Sequence, residues 1–151
     1  MTEIRPFRRT DADAVIALWT ECGLVRPWND PRRDIERKLT VQPELFLVAT
    51  TGSDLVGSVM AGYDGHRGWV NYLAVATGHR RRGLGRRLMR EAEAGLRALG
   101  CPKLNLQIRT GNSAVVAFYE ALGYGVDDVV SLGRRLIRDD EPTPTDASGT
   151  E

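Results

Sequence analysis

An arginine- and glycine-rich turn is the part of this sequence best suited to chemistry. The segment Arg80-Arg81-Arg82-Gly83-Leu84-Gly85 follows the apolar run Tyr72–Val75 and precedes a stretch with helical spacing of leucines. Glycines at a strand-to-helix turn let backbone N–H groups converge, and a helix start adds a partial positive charge of about half a unit. Such a turn can hold a phosphate or pyrophosphate. It is not a P-loop, because no Gly-Lys-Ser/Thr follows, and it lacks the three-glycine spacing and the later acid of a dinucleotide fingerprint.

Positive charge is concentrated at this turn. The 151 residues carry 21 Lys plus Arg against 20 Asp plus Glu, a net charge of +1. Residues 139–151 contain five acids and no base, so they predict a disordered acidic tail, and residues 1–138 then carry +6. Six arginines fall within eleven positions, namely Arg80, Arg81, Arg82, Arg86, Arg87 and Arg90. The surplus indicates an anionic ligand, whereas a single basic patch without interleaved aromatic residues argues against nucleic acid.

Composition excludes several other classes of protein. Cys22 and Cys101 are too few for a disulfide scaffold, and no Cys/His cluster has the spacing of a metal site. No apolar run approaches the roughly 18 to 20 residues of a membrane span, and the polar start from Met1 to Arg9 is unlike a signal peptide. We therefore expect a cytoplasmic protein with reduced thiols, without a bound metal and without a membrane partner.

Strands and helices that position the turn are predicted from hydrophobic periodicity and turn signals. The predicted strands cover residues 4–7, 45–50, 55–63, 69–75, 104–108 and 129–137. Short turns between the second, third and fourth of these predict an antiparallel meander. The crossover from 69–75 through a helix to 104–108 predicts a parallel pair.

Four helices are predicted around this sheet. The first starts at Thr10, which with Asp13 makes a capping-box-like pattern, and the second starts at Asp30 as N-cap before a proline. An Asp34–Lys38 pair supports the second helix. Residues 84–99 form the third, and Asn112 opens the fourth. We predict one α/β (α+β) domain over residues 1–138, with a mixed sheet of about six to seven strands flanked by about four helices.

Two motifs in a fixed order carry a family resemblance. The Arg-x-x-Gly-x-Gly pattern of residues 80–85 after an apolar strand, with Asn112 and the run Phe118-Tyr119-Glu120-Ala121-Leu122-Gly123-Tyr124 about 30 residues later, strongly resembles the GNAT superfamily of acyl-CoA-dependent N-acetyltransferases. The order of elements matches that family throughout residues 4–137. Segments 26–31 and 63–68 resemble its small bacterial YpeA subgroup. The resemblance implies a GNAT fold and acetyl-CoA as the acyl donor.

The resemblance also implies how acetyl-CoA is held. In the family, the central strand separates from its neighbour at a bulge and pairs its free backbone with the pantetheine arm, which would place Leu73, Ala74 and Val75 along the cofactor. The turn's backbone amides would hold the pyrophosphate, and arginines would meet the 3′-phosphate, because the guanidinium fork matches phosphate oxygens. The remaining implied cofactor-binding residues are Arg80, Arg81, Arg82, Gly83, Leu84, Gly85, Arg86, Asn112 and Phe118.

Tyr119 lies where the family places its general acid. Acyl transfer from a thioester to an amine expels a thiolate, and a phenol of pKa about 10 can protonate it at little thermodynamic cost. The oxyanion of the tetrahedral intermediate is met in relatives by a backbone N–H of the separated strand, here near Leu73, a contribution typically worth about 3 kcal/mol.

The general base and the acceptor site are less defined. Many relatives use a strand glutamate to deprotonate the amine, but here the corresponding stretches contain Asn71, Tyr72 and Gln107. Deprotonation through water, or by a group from a nearby loop, remains open. The loop candidates are Glu21, Asp64 and His66, of which His66 has the most suitable intrinsic pKa, about 6.5. The residues expected to line the acceptor site are Trp28, Asn29, Asn71 and His66.

The favoured function is an N-acetyltransferase that transfers an acetyl group to a primary amine by direct attack in a ternary complex. The amine could belong to a small molecule, a protein N-terminus or a lysine. The alternative, motivated by the missing strand carboxylate, is a non-catalytic acyl-CoA-binding sensor or interaction module. By analogy with relatives, the exposed edge near residues 129–137 makes a homodimer plausible.

Overall fold

A computed structural model describes residues 1–140 of the chain. Its strands are β1 Thr2–Pro6, β2 Phe46–Thr51, β3 Asp54–Tyr63, β4 Gly68–Val75 and β5 Leu104–Leu106. Its helices are α1 Ala12–Glu21, α2 Pro31–Lys38, α3 Leu84–Ala98 and α4 Ser113–Ala121. The four predicted helices are confirmed, with boundaries within a few residues.

The strands form one sheet in the order β1-β2-β3-β4-β5. The first four pair antiparallel, and β4 pairs with β5 parallel. This confirms the predicted meander and the predicted crossover through α3. Because α3 follows β4 directly, the arginine-rich turn lies at the carboxyl end of β4.

Each face of the sheet carries a hydrophobic core. The side chains of β2 alternate between the two, as a strand's period of two requires: Leu47 packs with α3, and Phe46 packs with α1 and α2. Leu88 fills the α3 side, and Trp19 fills the other, each fully buried. Residues of β4 contribute to both cores, so packing on both faces of the sheet fixes the position of this strand.

The predicted helix starts have two outcomes. Asp30 caps α2 as predicted, since its Oδ1 accepts a hydrogen bond from the backbone N–H of Arg32 at 2.9 Å. The prediction for Thr10 is wrong, because Thr10 lies inside a 3-10 turn that precedes α1. Asp11 holds that turn instead: its carboxylate accepts from the N–H of Arg8 at 2.8 Å and pairs with Arg5 at 2.8 Å.

The predicted Asp34–Lys38 pair is also wrong, because the sheet supplies better partners for both side chains. Lys38 is buried, its ammonium donates to the carbonyl of Ala61, and burial lowers its pKa. Asp34 instead accepts from the hydroxyl of Tyr72 at 2.6 Å and from Arg37 at 3.0 Å.

Within the described residues, 129–137 form no strand, and the sheet has five strands rather than six to seven. The neighbouring β5 offers only three residues for pairing, and Gly133 interrupts the apolar run. A side chain of this segment meets the residue after β5, where the amide of Gln107 donates to Ser131 Oγ. Its residues Val129, Val130, Leu132 and Leu136 are 77–91% exposed.

The acidic tail predicted for residues 139–151 falls mostly outside the described part of the chain. Asp139 and Asp140 are described, and residues 141–151 are not. Asp139 is buried and bonds to Arg37, so it is attached to α2.

Candidate active site

The centre of the site is a bulge in β4. The pairing of β3 with β4 shifts between Ser58 and Met60, and neither Tyr72 nor Leu73 has a register partner on β3. Tyr72 adopts a left-handed backbone conformation, with φ of 54°. An aromatic residue rarely adopts this conformation unless its surroundings impose it, and such strain is concentrated at functional sites.

A buried hydrogen-bond chain imposes the bulge. The indole N–H of Trp19 donates to Ser58 Oγ at 2.9 Å, and Ser58 Oγ donates to the carbonyl of Tyr72 at 2.8 Å. Ser58 is fully buried. The ring of Tyr72 also stacks on that of Trp19 with centroids 3.8 Å apart. The carbonyl and the side chain of Tyr72 are therefore both held from the α1 face of the sheet.

Beyond Val70, β4 separates from β5. The parallel pairing joins Gly68–Val70 to Leu104–Leu106, and no described residue continues the ladder along Asn71–Val75. The free edge of β4 thus begins beside the bulge and ends at the arginine-rich turn. An extended ligand can pair with this edge by adding to the sheet.

The arginine-rich turn has the backbone expected of an anion cradle. Arg81 and Gly83 both have left-handed φ angles, of 63° and 77°, and Gly83 is the N-cap of α3. Within residues 1–140, no acceptor bonds the backbone N–H groups from Arg81 to Gly85. These donors, at the positive end of α3, can bind phosphate oxygens.

The arginines of the turn divide into two groups. Arg80 folds back, donating from Nε to the carbonyl of Val75 at 3.1 Å, and Arg87 donates to the carbonyl of Thr2 at 3.2 Å. These two are structural ties. Arg81, Arg82, Arg86 and Arg90 are exposed, and no carboxylate within the described residues pairs with them. A pocket of about 220 Å³ opens between Arg82, Arg87 and the start of β1.

Three elements converge at Gly85. A Cβ built there would lie 3.1 Å from the ring of Phe118 and 3.8 Å from Val75. A side chain at this position would press on the Phe118 ring, so the glycine lets α4 approach the start of α3 closely. Leu84 is buried beneath the turn, so its role there is packing. The predicted cofactor residues of β4, the turn and α4 are brought together at this point.

Tyr119 lies on α4 with its side chain in the α3-side core. It is 7% exposed, and its ring packs edge-on against Phe118 and Tyr124 at 5.0 and 5.7 Å. The hydroxyl of Tyr119 makes no hydrogen bond within the described residues. Every side-chain oxygen that is fully buried there does have a partner, so the Tyr119 hydroxyl is not fully buried and reaches the surface. Burial raises the pKa of Tyr119 to about 12. The phenol therefore stays protonated at neutral pH and can serve as a donor.

Asn112 has a structural position. It is the N-cap of α4, and its Oδ1 accepts from the N–H of Val115 at 3.4 Å. Its exposed side chain thus fixes the helix that carries Phe118 and Tyr119.

Two of the loop candidates for a general base, Glu21 and Asp64, are held in turns by hydrogen bonds to their carboxylates. Thr77 donates to Glu21 from its backbone N–H at 2.8 Å and from its hydroxyl at 2.9 Å, and these bonds lower the pKa of Glu21. Asp64 accepts from the N–H groups of Arg67 and His66, each at 2.8 Å, and its pKa is lowered likewise. His66 is exposed in the β3–β4 hairpin, at the end of β4 opposite the arginine-rich turn.

The predicted acceptor-site loop has defined neighbours. The guanidinium of Arg109 lies 5.6 Å from the ring centroid of Trp28, and Asn29 Oδ1 accepts from Arg135 at 2.7 Å. Asn71, a third predicted acceptor residue, is exposed on β4 next to the bulge. The structure therefore places Asn71 beside the bulge, whereas Trp28 and Asn29 contact segments that follow β5.

Sequence reasoning missed the carboxylate nearest the bulge. Asp34 of α2 accepts from the hydroxyl of Tyr72 at 2.6 Å, although 38 residues separate them. Its positioning also depends on Asp139, which bonds Arg37 at 2.6 Å. The helical pattern around Asp34 predicted only a local partner, so no sequence signal identified this long-range pair.

The described residues contain no cluster of three or more His, Cys, Asp or Glu side chains suited to a metal. No helix among them has the length and apolar character needed to cross a membrane. Both cysteines are free thiols.

Comparison with known proteins identifies the family. The model of the acetyltransferase (GNAT) family matches residues 12–124. An acetyltransferase of Pectobacterium atrosepticum is 53% identical over 139 residues, which cover 92% of this chain and 99% of that protein. An uncharacterized N-acetyltransferase of Yersinia pestis is equally similar over the same coverage.

Solved structures show the same fold. The crystal structure of Ard1 from Thermoplasma volcanium has a TM-score of 0.73 at 25% identity and covers 83% of this chain and 84% of that one. AAC(6')-Iy in complex with the bisubstrate analogue CoA-S-monomethyl-acetylneamine has a TM-score of 0.74 at 17% identity and covers 91% of this chain and 99% of that one. With the family model spanning the bulge, the arginine-rich turn and Tyr119, the chain belongs to the GNAT acetyltransferase family and is an N-acetyltransferase.

Proposed function

We propose that the protein transfers an acetyl group from acetyl-CoA to a primary amine by direct attack within a ternary complex. The observation that carries this proposal is the separation of β4 from β5 at the Tyr72–Leu73 bulge, directly before a turn with unused backbone donors. The free edge suits an extended amide-containing chain, and the turn suits a pyrophosphate.

Acetyl-CoA would lie along Leu73–Val75, with its pyrophosphate on the N–H groups of residues 81–85. The exposed guanidiniums of Arg81, Arg82 and Arg86 would add charge-assisted bonds to phosphate oxygens. Arg80, which bonds the carbonyl of Val75, would act by holding the end of β4.

The chemical step forms a C–N bond between the amine and the thioester carbonyl carbon, and it breaks the C–S bond. The N–H of Leu73 would meet the oxyanion, and the hydroxyl of Tyr119 would give its proton to the departing thiolate. The amine's surplus proton passes to water, since Glu21 and Asp64 already accept hydrogen bonds in turns and His66 lies at the end of β4 away from the arginine-rich turn. With its pKa raised to about 12, the Tyr119 phenol is fully protonated at neutral pH, but it gives its proton to a thiolate at a greater cost than a phenol of ordinary pKa would.

Calorimetric titration with acetyl-CoA, followed by an assay of free thiol release with a panel of primary amines, tests the proposal. We expect one acetyl-CoA per chain, and release that depends on the amine. Absence of acetyl-CoA binding at low salt would contradict the proposal. Binding without amine-dependent release would favour a non-catalytic acyl-CoA module.

The finer classification and the assembly are proposals of the same kind. Segments 26–31 and 63–68 support membership of the YpeA-like bacterial subgroup. The exposed apolar run around Val130 and Leu132 supports a homodimer formed through the segment after α4. A dimer mass in light scattering that falls to a monomer mass in a Val130→Glu/Leu132→Glu variant would support it, and a wild-type monomer would exclude it. We retain a cytoplasmic location as the expectation for a protein with two free thiols.

A further inference from the structure

We propose that Asp34 attracts the acceptor amine as an ammonium ion, which loses its proton to water before it attacks at Leu73, and so selects cationic amines over amines that also carry a carboxylate. This inference rests on the proposed acetyl transfer and concerns the acceptor side of the same cleft. The observation behind it is the hydrogen bond from the hydroxyl of Tyr72 to Asp34, which brings a carboxylate of α2 to the strained bulge.

The position of Asp34 follows from the bulge. Tyr72 precedes Leu73, whose backbone is the proposed contact for the acyl group. The ring of Tyr72 turns toward α1 and α2, where it stacks on Trp19 and ends at Asp34. The Asp34 carboxylate therefore lies on the face of β4 away from α3. The length of the Tyr72 side chain separates it from the backbone of the bulge, where the acyl group is proposed to lie. An acceptor that enters over this face passes Asp34.

Asp34 retains capacity to bind a cation. Its Oδ2 accepts from Tyr72 and its Oδ1 accepts from one nitrogen of Arg37, whereas a carboxylate offers about four acceptor positions. Its side chain is 20% exposed, so solvent and small ligands can reach it.

Asp139 takes up much of the hydrogen bonding of Arg37, which would otherwise compete with a ligand for Asp34. Arg37 gives two nitrogens to Asp139, at 2.6 and 3.1 Å, and one to Asp34, at 3.0 Å. Asp139 is fixed from the other side by the backbone N–H of Asp30 at 2.9 Å. Arg37 thus divides its bonds between Asp34 and the fully buried Asp139, which also lies 3.7 Å from Arg33, so Asp34 is not held in a one-to-one pair with Arg37.

A negative charge at this point discriminates between acceptors. It attracts an ammonium group and repels a carboxylate carried next to it. Free α-amino acids would therefore be poor acceptors. Amines whose carboxyl group is absent or amidated, as in a peptide N-terminus, a lysine side chain or a polyamine, would be favoured.

Two matched pairs of acceptors test the assignment at low salt: alaninamide against alanine, and cadaverine against 6-aminohexanoate. The wild type is expected to prefer the member without a carboxylate in each pair. Asp34→Asn keeps an oxygen for Tyr72 but removes the charge, so we expect kcat/KM for alaninamide and cadaverine to fall about tenfold or more, mainly through KM. The affinity for acetyl-CoA and the melting temperature should change little.

The control is Glu36→Gln on the same helix. Glu36 pairs with exposed Arg9 away from the bulge, so this variant should leave kcat/KM unchanged for all four acceptors. Equal kcat/KM ratios within each pair for the wild type and Asp34→Asn would overturn the inference. So would a wild type that binds acetyl-CoA but acetylates none of the four amines. Failure to bind acetyl-CoA would instead contradict the proposed function itself.

Discussion

Tyr119 combines a buried ring with a hydroxyl that no other described residue engages, which is the arrangement a proton donor needs. We expect Tyr119→Phe to bind acetyl-CoA as the wild type does and to lower kcat by about 10² to 10⁴. Because the pKa of Tyr119 is raised to about 12, the wild-type rate should not fall between pH 7 and 10 through loss of this proton. Steady-state kinetics over that range checks both points.

Glu120→Gln serves as the comparison, since it changes an exposed side chain next to Tyr119 on α4 and should leave kcat unchanged. A Tyr119→Phe enzyme with unchanged kcat would remove Tyr119 from the mechanism and leave it as a core residue.

Ser58 links the core to the bulge through a single oxygen. Ser58→Ala would leave the indole N–H of Trp19 and the carbonyl of Tyr72 without their buried partner, at a cost of about 1 to 3 kcal/mol. We expect a lower unfolding free energy in urea and a lower kcat, because the bulge loosens. Ser53→Ala, in the exposed turn between β2 and β3, should be neutral in both measurements.

At the scale of elements, the function depends on how α3 begins. Gly83 holds the left-handed conformation that starts the helix, and a side chain there costs about 1 to 2 kcal/mol. Gly83→Ala should weaken acetyl-CoA binding in calorimetry, since the amides of the turn would no longer converge. Gly78→Ala lies in the same connection with open space around it and no left-handed backbone, so its affinity should match that of the wild type.

Elements with strong local signals could be predicted from the sequence. The meander, the crossover and the caps at Asp30 and Asn112 depend on turn length, periodicity and capping residues, all of which are short-range. The run 129–137 has the composition of a strand, but pairing requires a partner edge, and β5 is too short to provide one. The composition of residues 129–137 does not indicate how long the neighbouring strand β5 is.

Within the candidate site, the arginine-rich turn was predictable from the sequence, whereas the contacts around the bulge were not. Glycines and arginines at a strand-to-helix turn lie close together in sequence, so residues 80–85 were identifiable. The contacts of Tyr72 with Asp34, and of Arg37 with Asp139, join positions 38 and 102 residues apart. Such pairs follow from tertiary packing and leave no periodic signal.

At the scale of the whole molecule, Asp139 joins the end of the described chain to α2. Hydrogen bonds from Arg37 and from the N–H of Asp30 lower the pKa of Asp139 to about 2. In an unfolded chain the pKa of an aspartate is about 3.9. The stabilisation is therefore complete above that value and is lost as the pH falls toward 2.

We accordingly expect Asp139→Asn to melt at a lower temperature than the wild type at pH 7, with the two curves converging near pH 2. Asp140→Asn, which removes an exposed partner of Arg138, should follow the wild type at every pH. Thermal melts from pH 2 to 7 measure the difference. A constant gap across this range would show that Asp139 acts through packing rather than through its charge.

Two truncated chains distinguish the effect of residues 141–151 from that of the Asp139–Arg37 contact. A chain ending after Asp140 retains the Asp139–Arg37 bond, whereas one ending after Arg138 loses it. Because the bonds of Asp139 involve residues of α2 and Asp30, and none of the arginine-rich turn, both chains should keep their affinity for acetyl-CoA. Only the shorter chain should lose thermal stability.

Backbone amide shifts in a ¹H–¹⁵N spectrum, recorded during titration with acetyl-CoA, test the central claim most directly. The claim is that the free edge of β4 and the start of α3 together form the acetyl-CoA site. The predicted result is saturable shifts at Leu73, Val75 and residues 81–85, with the amides of β2 little changed. Saturable shifts confined to other residues, or none at all, would contradict it.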